Sequence, residues 1–222
     1  MKALLDKDET AEAVELILRE YPEAGCTLDF GSVFQLLVAV VLSAQTTDVS
    51  VNKVTPELFE KAPDPAAMAA LDPKEIEEII HSIGMYRTKA ANISKLSKDL
   101  LERFDGEVPS DMEELMSLPG VGRKTANVVM AEAFGKQAIA VDTHVFRLAG
   151  RIGFADEKDA EHTELALMRV LPEEHWTELH HALIWHGRRV CSARSPRCED
   201  CCLSGVCKRN GVEDAKKTRP SK

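Results

Sequence analysis

The sequence of 222 residues predicts an all-α protein, and three observations carry that prediction. Phe34, Leu37, Val38 and Val41 recur at i, i+3, i+4 and i+7, the spacing that lines apolar side chains along one face of a helix. A Gly/Pro-rich pentapeptide at 118–122 separates two stretches of helix-forming composition, a short one after Asp111 and a longer one over 123–134. No alternating pattern of the strand type persists anywhere, and no internal repeat is evident.

Size and composition bound the class. A chain of 222 residues supports one large domain or two small ones and can bury a core without disulfide staples, and 44% hydrophobic residues mark it as globular. The net charge of −9 is awkward for a partner built of phosphates, because phosphate binding rests on Lys and Arg. The distribution relieves the tension: residues 181–222 hold ten Lys+Arg against four Asp+Glu, a net of +6, which leaves −15 for the remainder. A local basic surface is therefore compatible with an acidic chain. The first 25 residues spread charges through a helical pattern with no apolar centre, unlike a signal peptide. The longest strongly apolar run, 36–42, is too short to span a membrane, so a soluble, intracellular protein with no membrane partner is expected.

Taken in order, the N-terminal segment is a helix, and the apolar helix ending near Leu42 runs into Ser43-Ala44-Gln45-Thr46-Thr47-Asp48, which reads as a capped loop. An alanine-rich helix lies between Pro63 and Pro73, another begins over 75–80, and the chain turns at Gly84 beside Met85 before entering a further helix. Ser110 and Asp111 suit the cap of a short helix with Leu115 and Leu118 on one face. Leu118-Pro119-Gly120-Val121-Gly122 then has the composition of a tight turn, since proline presets φ and glycine takes positive φ without steric cost. At the start of the following helix the backbone N–H groups near Gly122 have no intrahelical partners and can grip a phosphate. By spacing alone an ordinary interhelical turn fits equally well.

Lys124 falls in the first turn of that helix. A free lysine, with a pKa of roughly 10.4, is neutral only about once in a few thousand molecules at pH 7, so a nucleophilic lysine needs that value lowered. The positive helix end, adjacent Arg123 and burial all push that way, although the usual fate of such a lysine is a solvated charge. Asp142 closes the apolar run Ala138-Ile139-Ala140-Val141 and suits an N-cap, a role compatible with a catalytic carboxylate. Two more helices are expected over 157–171 and 176–185, with Leu165, Met168 and Leu171 on one face. His175, His180, His181 and His186 form no HExxH-like metal pattern and read as structural or DNA-facing.

Five of the six cysteines crowd into 191–207, which favours a metal site over a disulfide framework; Cys26, far away, reads as a buried structural thiol. Cys191, Cys198, Cys201 and Cys207 have the spacing C-x6-C-x2-C-x5-C, and four thiolates so placed satisfy tetrahedral zinc or a 4Fe-4S cluster alike. Cys202 competes with Cys201 for the third position.

The stretch LPGVGRKTANVV followed by VDTHVFR resembles the helix-hairpin-helix, Gly/Pro-rich loop and aspartate signature of the endonuclease III family of base-excision DNA glycosylases, and the resemblance extends from about residue 28 to 207. It implies a helix-hairpin-helix-GPD fold of two helical lobes with a C-terminal 4Fe-4S cluster loop. One lobe, 26–136, carries the helix-hairpin-helix at 110–134; the other joins 1–25 to 137–211, and 212–222 is a flexible tail. Lys124 matches the family's Schiff-base lysine and Asp142 its essential aspartate, facing each other across the cleft between lobes. Gln45 matches the glutamine that fills the gap left by an extruded nucleotide, and Met85 stands where relatives place an apolar residue, commonly leucine, against the orphaned base. Gly120, Gly122 and Arg123 at the hairpin, with Arg194 and Arg197 in the loop between the first two cluster cysteines, are the remaining expected DNA contacts. Spacing within the family selects Cys191, Cys198, Cys201 and Cys207 as ligands of a 4Fe-4S cluster that is structural and DNA-positioning.

The implied activity is that of a monomeric, cytoplasmic, nucleoid-associated glycosylase and abasic-site lyase of base excision repair, acting on oxidised pyrimidines in double-stranded DNA. Lys124 attacks C1′, the base departs, and β-elimination cuts 3′ to the lesion. A carboxylate close to the amine would favour its charged form, so Asp142 serves to accept a proton or to stabilise charge on the sugar. A monofunctional relative specific for adenine mismatches lacks the lysine and uses a carboxylate in the early apolar helix; residues 31–47 contain none. A non-catalytic DNA-binding module using the hairpin and the cluster is the third reading.

Overall fold

The computed structural model describes residues 2–212, so the tail expected to be flexible lies, apart from Val212, outside the described residues. Its helices, in chain order, are α1 (Lys7–Glu20), α2 (Val33–Leu42), α3 (Asp48–Val51), α4 (Thr55–Lys61), α5 (Pro65–Ala70), α6 (Pro73–Ile80), α7 (Tyr86–Phe104), α8 (Met112–Met116), α9 (Arg123–Phe134), α10 (Thr143–Ile152), α11 (Ala160–Val170) and α12 (Trp176–Arg189). Among the described residues no strand is present, as the absence of a period-two pattern predicts. The helices fall into two compact units: Cys26–Ala138, and the described residues before and after it.

In the Cys26–Ala138 unit, α2 is the centre of the core. Leu36, Leu37, Val38, Ala39, Val40, Val41 and Leu42 are all buried, so the helix is covered on every side rather than along one stripe. It packs against α7 and α9, while α5 and α6 close on α7. Side-chain caps define where these helices begin: Ser32 accepts from the Gln35 N–H, Asp64 from Ala67, and Asp72 forms a reciprocal capping box with Glu75. Each such cap contributes about 1 kcal/mol.

The other unit is built on α1, α10, α11 and α12. Ala13, Val14 and Ile17 of α1 share a core with Val145 and Leu148 of α10 and with Leu179 and Leu183 of α12. Helix α11 corrects the sequence expectation in two respects. It begins at Ala160 with Asp159 as its cap, and its buried residues are Thr163, Glu164, Ala166 and Leu167. Leu165 and Met168, at 41% and 37% exposure, lie outside that face, because their i, i+3 spacing satisfies the helical period without fixing which stripe the neighbours cover.

The hairpin before α9 packs closely against α2 and α7. The Val121 N–H donates to the Leu118 carbonyl at 3.1 Å, Pro119 occupies the second position of the turn, and Gly120 the third at φ +81°, the arrangement of a type II turn. A Cβ on Gly120 would stand 2.9 Å from Asn92 Nδ2 and 3.2 Å from Val41 Cγ1, so glycine is required by packing as well as by φ. Gly122 differs: its φ is −97° and a Cβ there meets nothing within 4 Å. Gly120→Ala should therefore lower Tm by several degrees, since left-handed strain of about 1–2 kcal/mol moves a chain of this size by roughly 2–4 °C per kcal/mol. Gly122→Ala should leave Tm unchanged. Thermal melts of the two variants beside wild type check both statements.

Candidate functional site

In the Cys26–Ala138 unit the candidates gather at helix beginnings. Gly122 is the N-cap of α9 and supplies no side chain, so the first-turn N–H groups remain open to an anion. Arg123 is half-buried, and Lys124 is exposed. The burial that the sequence reading counted among the influences on Lys124 is thus not provided by the protein's own packing.

Gln45 is exposed in the turn after α2, with φ +53°, and Met85 stands at the start of α7 with φ +56° and half its surface exposed. Left-handed backbone costs a residue with a side chain about 1–2 kcal/mol; Asp105 and Arg209 adopt it too, and Gln45 and Met85 differ from them in being the two that the sequence already singled out as DNA-contact candidates. Gly84 lies in the turn, as its sequence predicts, and Met85 beside it takes the left-handed backbone. Lys89, which the sequence reading passed over, is buried and donates through Nζ to Thr46 Oγ1 at 2.6 Å.

In the other unit, Asp142 caps α10. Its Oδ1 accepts from the His144 and Val145 N–H groups, both at 2.8 Å, which leaves Oδ2 free of these bonds. Burial holds the His144 imidazole below its ordinary pKa, with Asp142 acting in the opposite direction. On the same helix Arg147 Nη2 donates to the Gly187 and Cys191 carbonyls at 3.0 and 2.9 Å. Arg151 donates to the Ser192 and Ala193 carbonyls at 2.7 and 2.6 Å. Sequence reading missed both arginines; their i, i+4 spacing after Asp142 was the available signal, but nothing local says what they would grip.

Cys191, Cys198, Cys201 and Cys207 line one pocket, together with Arg151, His186 and Leu203. Cys202 does not line it. Among the described residues no three His, Cys, Asp or Glu side chains converge as ligands of one metal ion. Four thiols ringed about a cavity suit a multinuclear cluster with one thiolate at each corner better than a single tetrahedral ion. Burial raises the Cys198 and Cys207 thiols, and Cys201 is pushed up to about 12, first by its hydrogen bond with Cys202 and then by burial. The protein alone therefore favours neutral thiols here, and the positive charge of a metal centre is what ionises them.

His186 Nε2 lies 3.3 Å from Cys201 Sγ, and its Nδ1 3.0 Å from the Tyr21 hydroxyl. Burial raises Tyr21 to about 12, so it keeps its proton, and the imidazole bridges the phenol and the sulfur through its two ring nitrogens. Of the loop arginines, Arg194 is exposed, whereas Arg197 donates to the Arg189 carbonyl at 2.6 Å and approaches Asp200 at 3.7 Å. Arg197 is exposed as well, with its guanidinium tied back to the loop by these two contacts. The four histidines noted in the sequence are accounted for by packing: His180 and His181 are buried with their rings 3.9 Å apart, His186 is at the cysteines, and His175 bonds Glu178.

Residues 38–173 match the model of the HhH-GPD superfamily of base excision DNA repair proteins. The chain is 49% identical over 209 residues to endonuclease III of Synechocystis sp., covering 93% of this chain and 95% of that one. It is 50% identical over 197 residues to endonuclease III of Bacillus subtilis, covering 88% and 90%. A solved structure described as a trapped endonuclease III–DNA covalent intermediate superposes with a TM-score of 0.89 at 47% identity, covering 93% of this chain and 97% of that one. With matches spanning nearly the whole of both chains, the protein belongs to the endonuclease III family of the HhH-GPD superfamily.

Proposed function

We infer that the chain is a bifunctional DNA glycosylase and abasic-site lyase of base excision repair, and that Lys124 and Asp142 carry its chemistry. The observation that carries the assignment of the nucleophile is Lys124 in the first turn of a helix led by an uncapped glycine, directly after a type II hairpin. That helix start offers N–H donors to a phosphate and places an amine beside them.

The Lys124 amine attacks C1′ of the extruded nucleotide, and the bond from C1′ to the base breaks with the electron pair leaving on the base. The attacking nitrogen gives up a proton and the C1′–O4′ bond of the sugar ring then opens, its electron pair and a proton going to O4′, which leaves an iminium between C1′ and Lys124. That iminium acidifies the C2′ proton; its removal expels the 3′ phosphate by β-elimination and cuts the strand 3′ to the lesion, and water later releases the lysine. Asp142 presents Oδ2 while Oδ1 is held by α10, so its carboxylate is oriented to accept a proton or to oppose positive charge on the sugar. Gln45 fills the gap left by extrusion and Met85 meets the orphaned base, while Gly120, Gly122, Arg123, Arg194 and Arg197 form the backbone-contacting set. Oxidised pyrimidines in double-stranded DNA are the substrate class, and the place of work is the nucleoid. Among the described residues no helix is long and apolar enough to cross a membrane.

The cofactor is a 4Fe-4S cluster, whose ligands we assign to Cys191, Cys198, Cys201 and Cys207. When bound, the cluster crosslinks the segment that carries Arg194 and Arg197, which lowers the entropic cost of presenting a basic loop to DNA. Borohydride trapping on a duplex with one abasic site should give a covalent adduct with wild type and none with Lys124→Ala; no adduct from wild type would sink the Schiff-base assignment. Asp142→Asn should keep the cap and the melting temperature yet slow base release roughly 10²-fold or more, whereas Asp142→Ala should also cost about 1 kcal/mol of stability. Cys201→Ser should lose iron and the visible absorbance of the cluster. Cys202→Ser should retain both, and the reverse result would move the third ligand to Cys202.

A further inference from the structure

Gln45 and Met85 belong to different loops, and both are held in left-handed backbone at φ +53° and +56°. Two exposed side chains that act on one opened base pair, Gln45 in the gap and Met85 against the orphaned base, need their loops fixed relative to each other. Lys89 supplies that link. Its backbone N–H donates to the Met85 carbonyl at 3.0 Å, closing the first turn of α7 on the very residue that is strained. Its Nζ reaches across to Thr46 Oγ1 at 2.6 Å, and Thr46 Oγ1 in turn lies 3.4 Å from the Ala44 carbonyl. The polar chain from Lys89 through Thr46 to Ala44 therefore encloses Gln45 from both sides in sequence, while the Thr46 N–H donates to the Ser43 carbonyl at 3.0 Å.

Such an arrangement is expensive to keep. Lys89 is 4% exposed, and burial holds its pKa below the ordinary lysine value. A lysine used only to fill space along α7 would be replaced by leucine or methionine with no polar group to satisfy. Its hydrogen bond goes to the loop of Gln45 and not to a carboxylate, so it is not half of a buried ion pair.

We propose that Lys89 and Thr46 are positioning residues that lock the Gln45 turn to the start of α7, so that Gln45 and Met85 act on the opened base pair as one rigid unit. This rests on the reading of Gln45 and Met85 given above. The latch acts on extrusion of the nucleotide and not on the bonds made by Lys124, so it separates two substrates. A lesion stacked in a duplex needs the wedge; an abasic site in a single-stranded oligonucleotide does not.

The experiment compares single-turnover base excision from duplex DNA holding one oxidised pyrimidine with lyase cleavage of a single-stranded abasic oligonucleotide. Thr46→Val keeps the shape of a half-buried side chain and removes the hydroxyl; Thr46→Ser restores it. Thr46→Val should slow duplex excision about tenfold, as one lost hydrogen bond would, and leave the single-strand lyase rate within about twofold of wild type. Thr46→Ser should recover the duplex rate, and Lys89→Met should reproduce Thr46→Val. Unchanged duplex excision in Thr46→Val, or equal slowing on both substrates, overturns the latch. Gln45→Ala and Met85→Ala run alongside: if neither slows duplex excision, the wedge reading fails and the latch with it, whereas slowing there without slowing in Thr46→Val removes the latch alone.

Discussion

The C-terminal end of α10 leaves backbone carbonyls without helical partners, and the cysteine segment is what satisfies them. The Ile152 carbonyl accepts from the Lys208 N–H and the Arg151 carbonyl from the Asn210 N–H, both at 3.0 Å. From the helix outward, Arg147 and Arg151 reach the carbonyls of Gly187, Cys191, Ser192 and Ala193. Buried peptide groups must find partners, and here the partners on both sides are the segments flanking the four thiols. The same helix begins at Asp142, so one rigid rod carries the candidate carboxylate at its start and the fastening of the cysteine loop at its end. Glycine at 187 is part of this closeness, because a Cβ there would lie 2.9 Å from His144 Nδ1 and 3.0 Å from Arg147 Nη2.

Much of this was legible in the sequence, and the legible parts share a cause. The hairpin, the limits of α9, the cap at Asp142 and the clustered cysteines are all set by neighbours within a few residues, which is the range over which turn chemistry, capping and ligand spacing act. What was not legible depends on partners far along the chain. Arg147 and Arg151 meet carbonyls some forty residues away, Tyr21 meets His186 across 165 residues, and Lys89 meets Thr46 across 43. The misjudged face of α11 has the same origin: period gives a stripe, and only tertiary packing chooses it.

Charge shows the limit most plainly. Residues 181–222 carry the chain's basic excess, yet several of the cations hold the loop together. Lys208 pairs with Glu9, Arg209 donates to the Ser204 carbonyl, Arg197 donates to the Arg189 carbonyl, and Arg189 lies over the Trp185 ring at 4.1 Å. A count of Lys and Arg measures what a segment contains, while phosphate affinity depends on what it presents outward. Arg194, exposed at the tip of the loop, meets that second criterion more fully than Arg197 does.

Most helix beginnings are closed by a side chain, and the start of α9 stands out among the open ones for the charges it carries. Helices α1, α2, α3, α5, α6, α8, α10 and α11 each start with a side chain bonded to an open N–H. Helices α4, α7, α9 and α12 have no such bond, and two of these four starts hold candidate residues: Met85 begins α7 in left-handed backbone, and Gly122 begins α9 with no side chain to offer. The first turn of α9 then carries Arg123 and Lys124, two cations at the positive end of a helix dipole, an arrangement that weakens a helix by a few tenths to about 1 kcal/mol per charge. An anion arriving at α9 would bond the N–H groups that no side chain caps and bring negative charge to the positive end of the helix. A start that is poor for folding is for that reason a good receptor for a phosphate, and local rules broken at a few sites while kept elsewhere are what a binding surface built into a stable scaffold requires.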